Sequence, residues 1–338
     1  MRELLGRAAP GEVRAVDGVS FAAGRGRTLG LVGESGSGKT TVARCIIGLS
    51  ERSGGSVSLL DVPLPPRIGA RARETLRSVQ MVFQNPEESL NPHLTIGESL
   101  RRPMQTLAGR SRAEADAAVP GLLNAVGLDP AFARRTPGRL SGGEKQRVAI
   151  ARAFAAQPDL LLFDEAVSAL DVSVQASILN LLNDIQRETQ YAALFISHDL
   201  AVVGYLADDV AVMYLGQLME LGPAEAVFAP PYHPYTEALL AAIPRVEDER
   251  GRGQDPPSSP LSRAQPDDSR GRAIRLPGDI PSPADVPAGC PFHTRCPRFL
   301  GDNCVTQRPA WRVSANGVGI ACHIPLAELE QMQAGTRR

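Results

Sequence analysis

No stretch of this chain is apolar for long enough to cross a bilayer, which takes roughly 20 consecutive apolar residues. The richest segment, Tyr191 to Met219, is interrupted by His198, Asp199, Asp208 and Asp209. An excess of one charge is missing too. The 36 basic and 37 acidic residues leave a net charge of -1, so no global basic field is available to draw in nucleic acid. The opening Met1 to Ala15 carries charges throughout and has no apolar run, which argues against a secretory signal. A role at a membrane would have to come through partners, and the expected compartment is the cytosol. Cysteine is sparse, with five residues, and in that compartment thiols stay reduced unless they hold metal. No internal repeat is visible.

What is present begins with Gly33-Glu34-Ser35-Gly36-Ser37-Gly38-Lys39-Thr40, a full match to G-x-x-x-x-G-K-[ST]. An apolar run, Thr28 to Val32, precedes it and another, Val42 to Leu49, follows Thr41, which is the strand, loop and helix order a phosphate-binding loop needs. Glycines let successive backbone N–H groups turn inward, making an anion cradle at a helix N-terminus. Lys39 then offers a point charge to the outer phosphates, and Thr40 a hydroxyl to Mg²⁺. The chain is expected to bind a nucleoside triphosphate.

With 338 residues there is room for two or three domains. Apolar runs bounded by turn residues predict buried parallel strands at Thr28–Val32, Val79–Phe83, Leu160–Phe163 and Ala193–Ile196. Helix-like segments such as Ser141–Ala156 and Val174–Glu188 alternate with them, an α/β pattern. Residues Gly97 to Leu140 are polar and alanine-rich without a strand signal, consistent with an inserted helical subdomain. Val246 to Arg272 is dense in Pro, Ser, Asp and Arg and is expected to be a flexible linker.

Leu160 to Phe163 leads into two adjacent carboxylates, Asp164 and Glu165. Successive side chains of a strand point to opposite faces, so the pair is expected at a strand end where the chain turns. Asp164 would then reach a Mg²⁺ shell while Glu165, as general base, faces the attacking water. Ser141-Gly142-Gly143-Glu144 reads first as a capping box, with Ser141 and Glu144 at the required spacing. Two glycines directly after a cap weaken a helix, unless an anion has to approach the backbone closely there.

Leu140-Ser141-Gly142-Gly143-Glu144-Lys145-Gln146-Arg147 resembles the signature motif of ATP-binding cassette (ABC) ATPases. The order of the other elements agrees. The phosphate loop comes first, Phe83-Gln84 stands as the Q-loop before the signature, and Asp164-Glu165 follows it. Ser168-Ala169-Leu170-Asp171 is similar to the D-loop, and Ile196-Ser197-His198-Asp199 to the switch histidine. The resemblance implies a P-loop NTPase core of the RecA-like α/β type with a parallel sheet, an ABC helical subdomain spanning about 85–157, and a head-to-tail dimer. Each ATP would be sandwiched between the phosphate loop of one subunit and Ser141, Gly142, Gly143 and Gln146 of the other, with Asp171 nearby. Gln84 would contact Mg²⁺ and the lytic water and couple the site to membrane subunits. His198 would hold the γ-phosphate and Glu165 in register.

Gln84 to Pro92, Asp164 to Asp171 and Pro231-Tyr232-His233-Pro234-Tyr235-Thr236-Glu237 resemble the peptide/nickel importer branch of that family. The branch implies a second ATPase subunit, expected to be a paralogue, two integral-membrane permeases and an extracytoplasmic solute-binding protein, with no nucleic acid. The ATPase would be peripheral, on the cytoplasmic face of the cell membrane. Di- or oligopeptides are the expected solute; nickel or another small solute, or a soluble non-transport ABC ATPase, are the alternatives. The expected boundaries are 1–235 for the ATPase domain, 236–275 for a helix and linker, and 276–338 for a small Cys-rich extension.

That extension holds Cys290, Cys296, Cys304 and Cys322, at gaps of five, seven and seventeen residues rather than the short knuckles of structural zinc. Four thiols in so small a segment favour iron–sulfur or zinc over disulfides. The pattern is similar to the C-terminal domain of peptide importer ATPases, some of which carry a [4Fe–4S] cluster. Iron–sulfur is the leading reading, with zinc or an empty site as the alternative. Cys45 reads as a small core residue. In one respect the chain departs from the family, whose members begin with a strand ending in an aromatic that stacks on adenine. Nothing aromatic precedes Phe21 here, and burial is the expected role of Phe21. Either the start lies too far downstream, which is preferred, or an edge strand and its platform are absent. Stacking is worth roughly 1–3 kcal/mol per base, so its absence would lower ATP affinity by about one or two decades.

Overall fold

A computed structural model describes residues 13–243 and 276–334. The opening Met1–Arg7 and the linker expected at Val246–Arg272 lie outside the described residues. The chain divides into two compact units, one of Ala22–Gly30 with Thr40–Ser197, the other of Met1–Phe21, Leu31–Lys39 and His198–Arg338.

The first of these, the helical unit, starts on β1 (Thr28–Val32), of which it holds the first three residues. Every residue of β1 is buried, as expected of a strand covered on both faces. A small hairpin follows, β2 (Ser58–Leu59) against β3 (Val62–Pro63), turned by Leu60 and Asp61 with φ of 49° and 63°. β4 (Val79–Val82), β5 (Leu160–Asp164) and β6 (Ala192–Ser197) then pair in parallel. Val79 stands opposite Leu160 and Asp164 opposite Ile196, and the order within the unit is β4-β5-β6-β1. All four predicted strands are present, within one residue at each end.

No strand falls between β4 and β5 among the described residues. The interval is helical, with Ile96–Thr106 and Arg112–Ala125 followed by Gly142–Phe154. Each of these three helices begins with a capping box, from Thr95 and Glu98, Ser111 and Glu114, and Ser141 and Glu144. The pairing of Ser or Thr with Glu three residues on satisfies two otherwise orphaned backbone donors. Ile96, Leu100, Met104, Leu123, Val148 and Ile150 form the buried face of these helices.

The second unit, which carries the phosphate loop, is built on β7 (Asp209–Tyr214), β8 (Gln217–Pro223), β9 (Trp311–Val313) and β10 (Gly319–Ala321). Leu215 and Gly216, with φ of 43° and 78°, turn β7 directly back into β8. The order within the unit is β1-β7-β8-β10-β9, and β7–β8, β8–β10 and β10–β9 are all antiparallel. The parallel sheet expected from the sequence is therefore a mixed one. The reason is geometric: two strands joined by a two-residue turn can pair only antiparallel. The C-terminal segment joins this unit through β10, where Ile320 stands opposite Glu220 of β8. No helix among the described residues is long and apolar enough to cross a membrane.

Candidate active site

The phosphate loop, Gly33 to Lys39, leaves the end of β1 and enters the helix Lys39–Ile47. Gly33 has φ +150°, and a Cβ added there would run into the Met213 carbonyl oxygen of β7 and lie 2.9 Å from Ser37 Oγ. Only a glycine lets β7 pack this closely under the loop. Lys39 is buried, and its Nζ donates to Gly33 O at 2.7 Å, to Glu34 O at 2.9 Å and to Ser37 Oγ at 3.4 Å. Its ammonium is thus held over the mouth of its own loop by carbonyl oxygens, as a compact three-donor group can be. Ser35 and Gly36 are exposed, and Gly36 has open space where a side chain would be. His198, also in this unit, is exposed and directly precedes Asp199, which caps the helix Leu200–Leu206 by accepting from Ala201 N at 2.8 Å.

Thr40, the next residue after Lys39, belongs to the helical unit, and there its Oγ1 donates to Asp164 Oδ1 at 2.9 Å. The hydroxyl and carboxylate expected to share Mg²⁺ are thus brought together at the end of β5. Glu165 follows in the left-handed region with φ 48°, an uncommon conformation for a residue with a side chain. Its N–H donates to Ile196 O of β6 at 3.0 Å, while its Oε2 accepts from Gln84 Nε2 at 3.1 Å. The predicted turn at the strand end is present, and the two neighbouring carboxylates have separate partners because of it. Thr41 is half-buried in the first turn of its helix.

The signature segment is also in the helical unit. Ser141 accepts from Glu144 N at 3.3 Å and donates its own N–H to Glu144 Oε2 at 2.7 Å. The two glycines behind it differ. A Cβ on Gly143 would sit 2.7 Å from Val174 Cγ1, so close packing on the helix Val172–Thr189 explains that one. Gly142 faces open space and has no such reason. Gln146 is buried, with Nε2 unpartnered among the described residues, so in this structure it is not presented at the helix end. Asp171 caps the helix Val172–Thr189, accepting from Val174 N at 2.9 Å and Ser173 Oγ at 2.7 Å. Those bonds, the Ser173 hydroxyl first, hold its carboxyl below the usual range.

Sequence reasoning missed two groups of partners. Lys145 pairs with Glu87 at 2.6 Å, tying the turn behind Gln84 to the signature helix. Glu34, inside the phosphate loop, is held by Arg295, in the expected C-terminal extension, and by Tyr235, the last residue of the expected ATPase domain. The His-Pro-Tyr motif was a signal for the second of these, though not for what it touches.

Cys290, Cys296, Cys304 and Cys322 are all free thiols in one neighbourhood of the phosphate-loop unit. Burial pushes the Cys290 thiol up to about 12 and the Cys296 thiol up to about 11, and raises Cys322, with the neighbouring thiols adding to each. Soft thiolate donors suit iron–sulfur or zinc, but the expected ligand cage is not formed: among the described residues no three His, Cys, Asp or Glu side chains are arranged to hold a metal ion. Burial keeps the Cys290, Cys296 and Cys322 thiols protonated, although Arg298 pulls Cys296 and Arg312 pulls Cys322 the other way.

A glycine-rich loop between a buried strand and a helix, followed at once by a threonine bonded to the carboxylate that ends β5, defines a P-loop nucleoside triphosphatase. Comparison with known proteins carries this further. The ABC transporter family matches residues 16–168, and the oligopeptide/dipeptide transporter C-terminal region matches residues 219–272 and 258–304. A probable peptide ABC transporter ATP-binding protein of Sinorhizobium fredii is 45% identical over 92% of this chain and 83% of its own length. A di/tripeptide transport ATP-binding protein of Pseudomonas aeruginosa is 42% identical, covering 92% and 90%. An oligopeptide transport ATP-binding protein of Salmonella typhimurium is 44% identical, covering 89% and 85%. Among solved structures, a component of an ABC transporter complex from Clostridium perfringens superposes with a TM-score of 0.57 at 25% identity, covering 63% of this chain and 84% of the other. A dimeric ATP-binding cassette with ADP and Pi gives 0.56 at 27% identity, covering 64% and 94%. This chain belongs to the ABC transporter ATP-binding family, in the branch that carries the oligopeptide/dipeptide transporter C-terminal region.

Proposed function

We propose that this chain is the ATP-hydrolysing subunit of an ABC importer for di- or oligopeptides. The observation that carries the catalytic part is the divergence of the two adjacent carboxylates. Asp164 bonds to Thr40 and Glu165 to Gln84, which supports giving these neighbouring acids of like charge different work. Thr40, Gln84 and Asp164 would hold Mg²⁺, which when bound neutralises charge on the β- and γ-phosphates. Gly33 to Lys39 would cradle the triphosphate, with the Lys39 ammonium moving from its loop carbonyls to phosphate oxygens. Glu165 would orient and deprotonate the water, and His198 would fix the γ-phosphate. Ser141 and Gly142 would complete the site of a second subunit, a paralogue, in a head-to-tail dimer, with Asp171 beside it.

The named peptide-transport relatives support peptide import. Two permease subunits would be the coupling partners at the cytoplasmic membrane face, and a solute-binding protein would deliver cargo. The four C-terminal thiols would hold an iron–sulfur cluster, or zinc, as a staple for a segment with little core. Metal and acid-labile sulfide analysis of anaerobically purified protein checks this; a metal-free protein with a native C-terminal segment overturns it.

Glu165→Gln tests the central assignment. Steady-state hydrolysis by the assembled transporter should fall roughly 10²–10⁴-fold while MgATP binding persists. Hydrolysis near the wild-type rate removes Glu165 from the general-base role.

A further inference from the structure

Glu34 occupies a variable position of the phosphate loop, where nothing in the motif calls for an acid. A carboxylate in a loop built to receive a triphosphate repels its own ligand unless its charge is cancelled. Arg295 does so. Its guanidinium donates Nη1 to Glu34 Oε2 at 2.7 Å and Nη2 to Glu34 Oε1 at 3.2 Å, a two-pronged pair with the arginine side chain only 8% exposed. The backbone of the same residue is held independently, for Glu34 N donates to the Tyr235 hydroxyl at 2.8 Å.

Both holders are themselves packed in place. Tyr235 is buried and packs edge-on to Tyr214 at 4.8 Å and against Phe292 at 5.2 Å. Arg295 ends the short turn His293–Arg295 between Cys290 and Cys296, where His293 N donates to Cys290 O at 3.1 Å and Arg295 N to Phe292 O at 3.0 Å. Arg298, three residues on, is anchored in the same manner to buried Glu237 at 2.7 Å.

From this arrangement we infer that Arg295 is a positioning residue of the ATP site: the C-terminal segment reaches back to neutralise Glu34 and to pin the first half of the phosphate loop in its binding-competent shape. Removing the arginine leaves a free negative charge in the loop and a looser backbone, so only part of the population is ready to bind. Apparent affinity drops by that fraction, whereas chemistry on the bound nucleotide does not change.

The test uses the full chain, with calorimetry for MgATP affinity and the assembled transporter for turnover. Arg295→Gln should raise the Kd and KM for MgATP about tenfold, equivalent to about 1.4 kcal/mol, with kcat within about twofold of wild type. Arg295→Gln combined with Glu34→Gln should recover most of the loss, because the unpaired charge is gone. A merely structural role would lower the folded fraction, leave KM alone and gain nothing from the second substitution; that result overturns the proposal. Should Arg295→Gln not fold, Arg295→Lys keeps the charge and loses the fork. It should raise KM about threefold, and an unchanged KM counts against the proposal equally. The inference rests on the loop binding ATP, and Lys39→Ala separates the two. If wild type and Lys39→Ala bind MgATP alike, the ATP assignment fails; if they differ while the Arg295 variants match wild type, only this inference does.

Discussion

Two helix N-termini in this chain carry glycines and are suited to phosphate, yet they are finished differently. The loop at Gly33 to Lys39 is constrained from several sides: β7 lies under Gly33, Tyr235 and Arg295 grip Glu34, and three loop oxygens hold Lys39. The end at Ser141 to Gly143 has its capping box and little else, with Ser141 and Gly142 exposed. The difference teaches that two similar local motifs can be at different stages of completion. The first has its scaffold within its own chain. The second is left open on one side, the feature on which its proposed role as a half-site for another subunit depends.

The comparison breaks first at Gly33. Gly33→Ala places a methyl group against the Met213 carbonyl in a backbone region that side chains rarely adopt, and should cost about 1–3 kcal/mol or more. Thermal unfolding of the full chain measures it; an unchanged midpoint would mean that the loop is not held as tightly as described. A sharper contrast lies between the two signature glycines. Gly143→Ala must displace Val174 and should cost about 1–3 kcal/mol in stability. Gly142→Ala meets nothing in this chain and should stabilise the helix by about 0.5–1 kcal/mol. If a partner's phosphates approach that backbone, Gly142→Ala nevertheless loses most ATPase activity in the assembled transporter. A variant that is both more stable and fully active would leave Gly142 without a functional reason.

The smallest effect concerns the support beneath the first site. Glu220 of β8 is fully buried and accepts from His233 N at 3.1 Å; burial pushes its carboxyl up to about 8, with the Thr236 hydroxyl and His233 backbone pulling back. Burial drives the His233 imidazole the other way, down to about 3, so it stays neutral at neutral pH. A carboxyl raised in the folded state takes up more protons there than in the unfolded chain. Its contribution is therefore complete below the ordinary carboxylate range and is lost as pH rises towards 8. Below the ordinary imidazole value of 6.5 the neutral His233 contributes the opposite slope, so the unfolding midpoint should fall by a few degrees between pH 6.5 and 8, and Glu220→Gln should remove that fall. An unchanged slope in the variant would assign the pH dependence to other groups.

Much of this was legible in the chain. The strands at β1, β4, β5 and β6 are continuous apolar runs bounded by turns, and strands buried on both faces are written that way. The separation of Asp164 from Glu165 was expected from strand alternation together with a turn at the strand end, and φ 48° at Glu165 supplies that turn. The antiparallel pair β7–β8 escaped, although β7 lies in the richest apolar segment, because an apolar run carries no direction. Strands β9 and β10 escaped because they are three residues each, with too few positions for a period to show. The C-terminal cysteines were noticed for their spacing, while the residue between them that matters to the loop, Arg295, carries no local signal.

By itself the sequence determined that this protein grips a triphosphate and ends a buried strand in two adjacent carboxylates, since those properties follow from glycine, lysine and acid at fixed short spacings. Only the tertiary structure decided what holds the loop. Glu34 and Arg295 are 261 residues apart in the chain, and a pair that distant is created by packing, through the strand β10 and the aromatic cluster of Tyr214, Tyr235 and Phe292. Burial then makes the pair matter, because a charge removed from water requires its partner to be present.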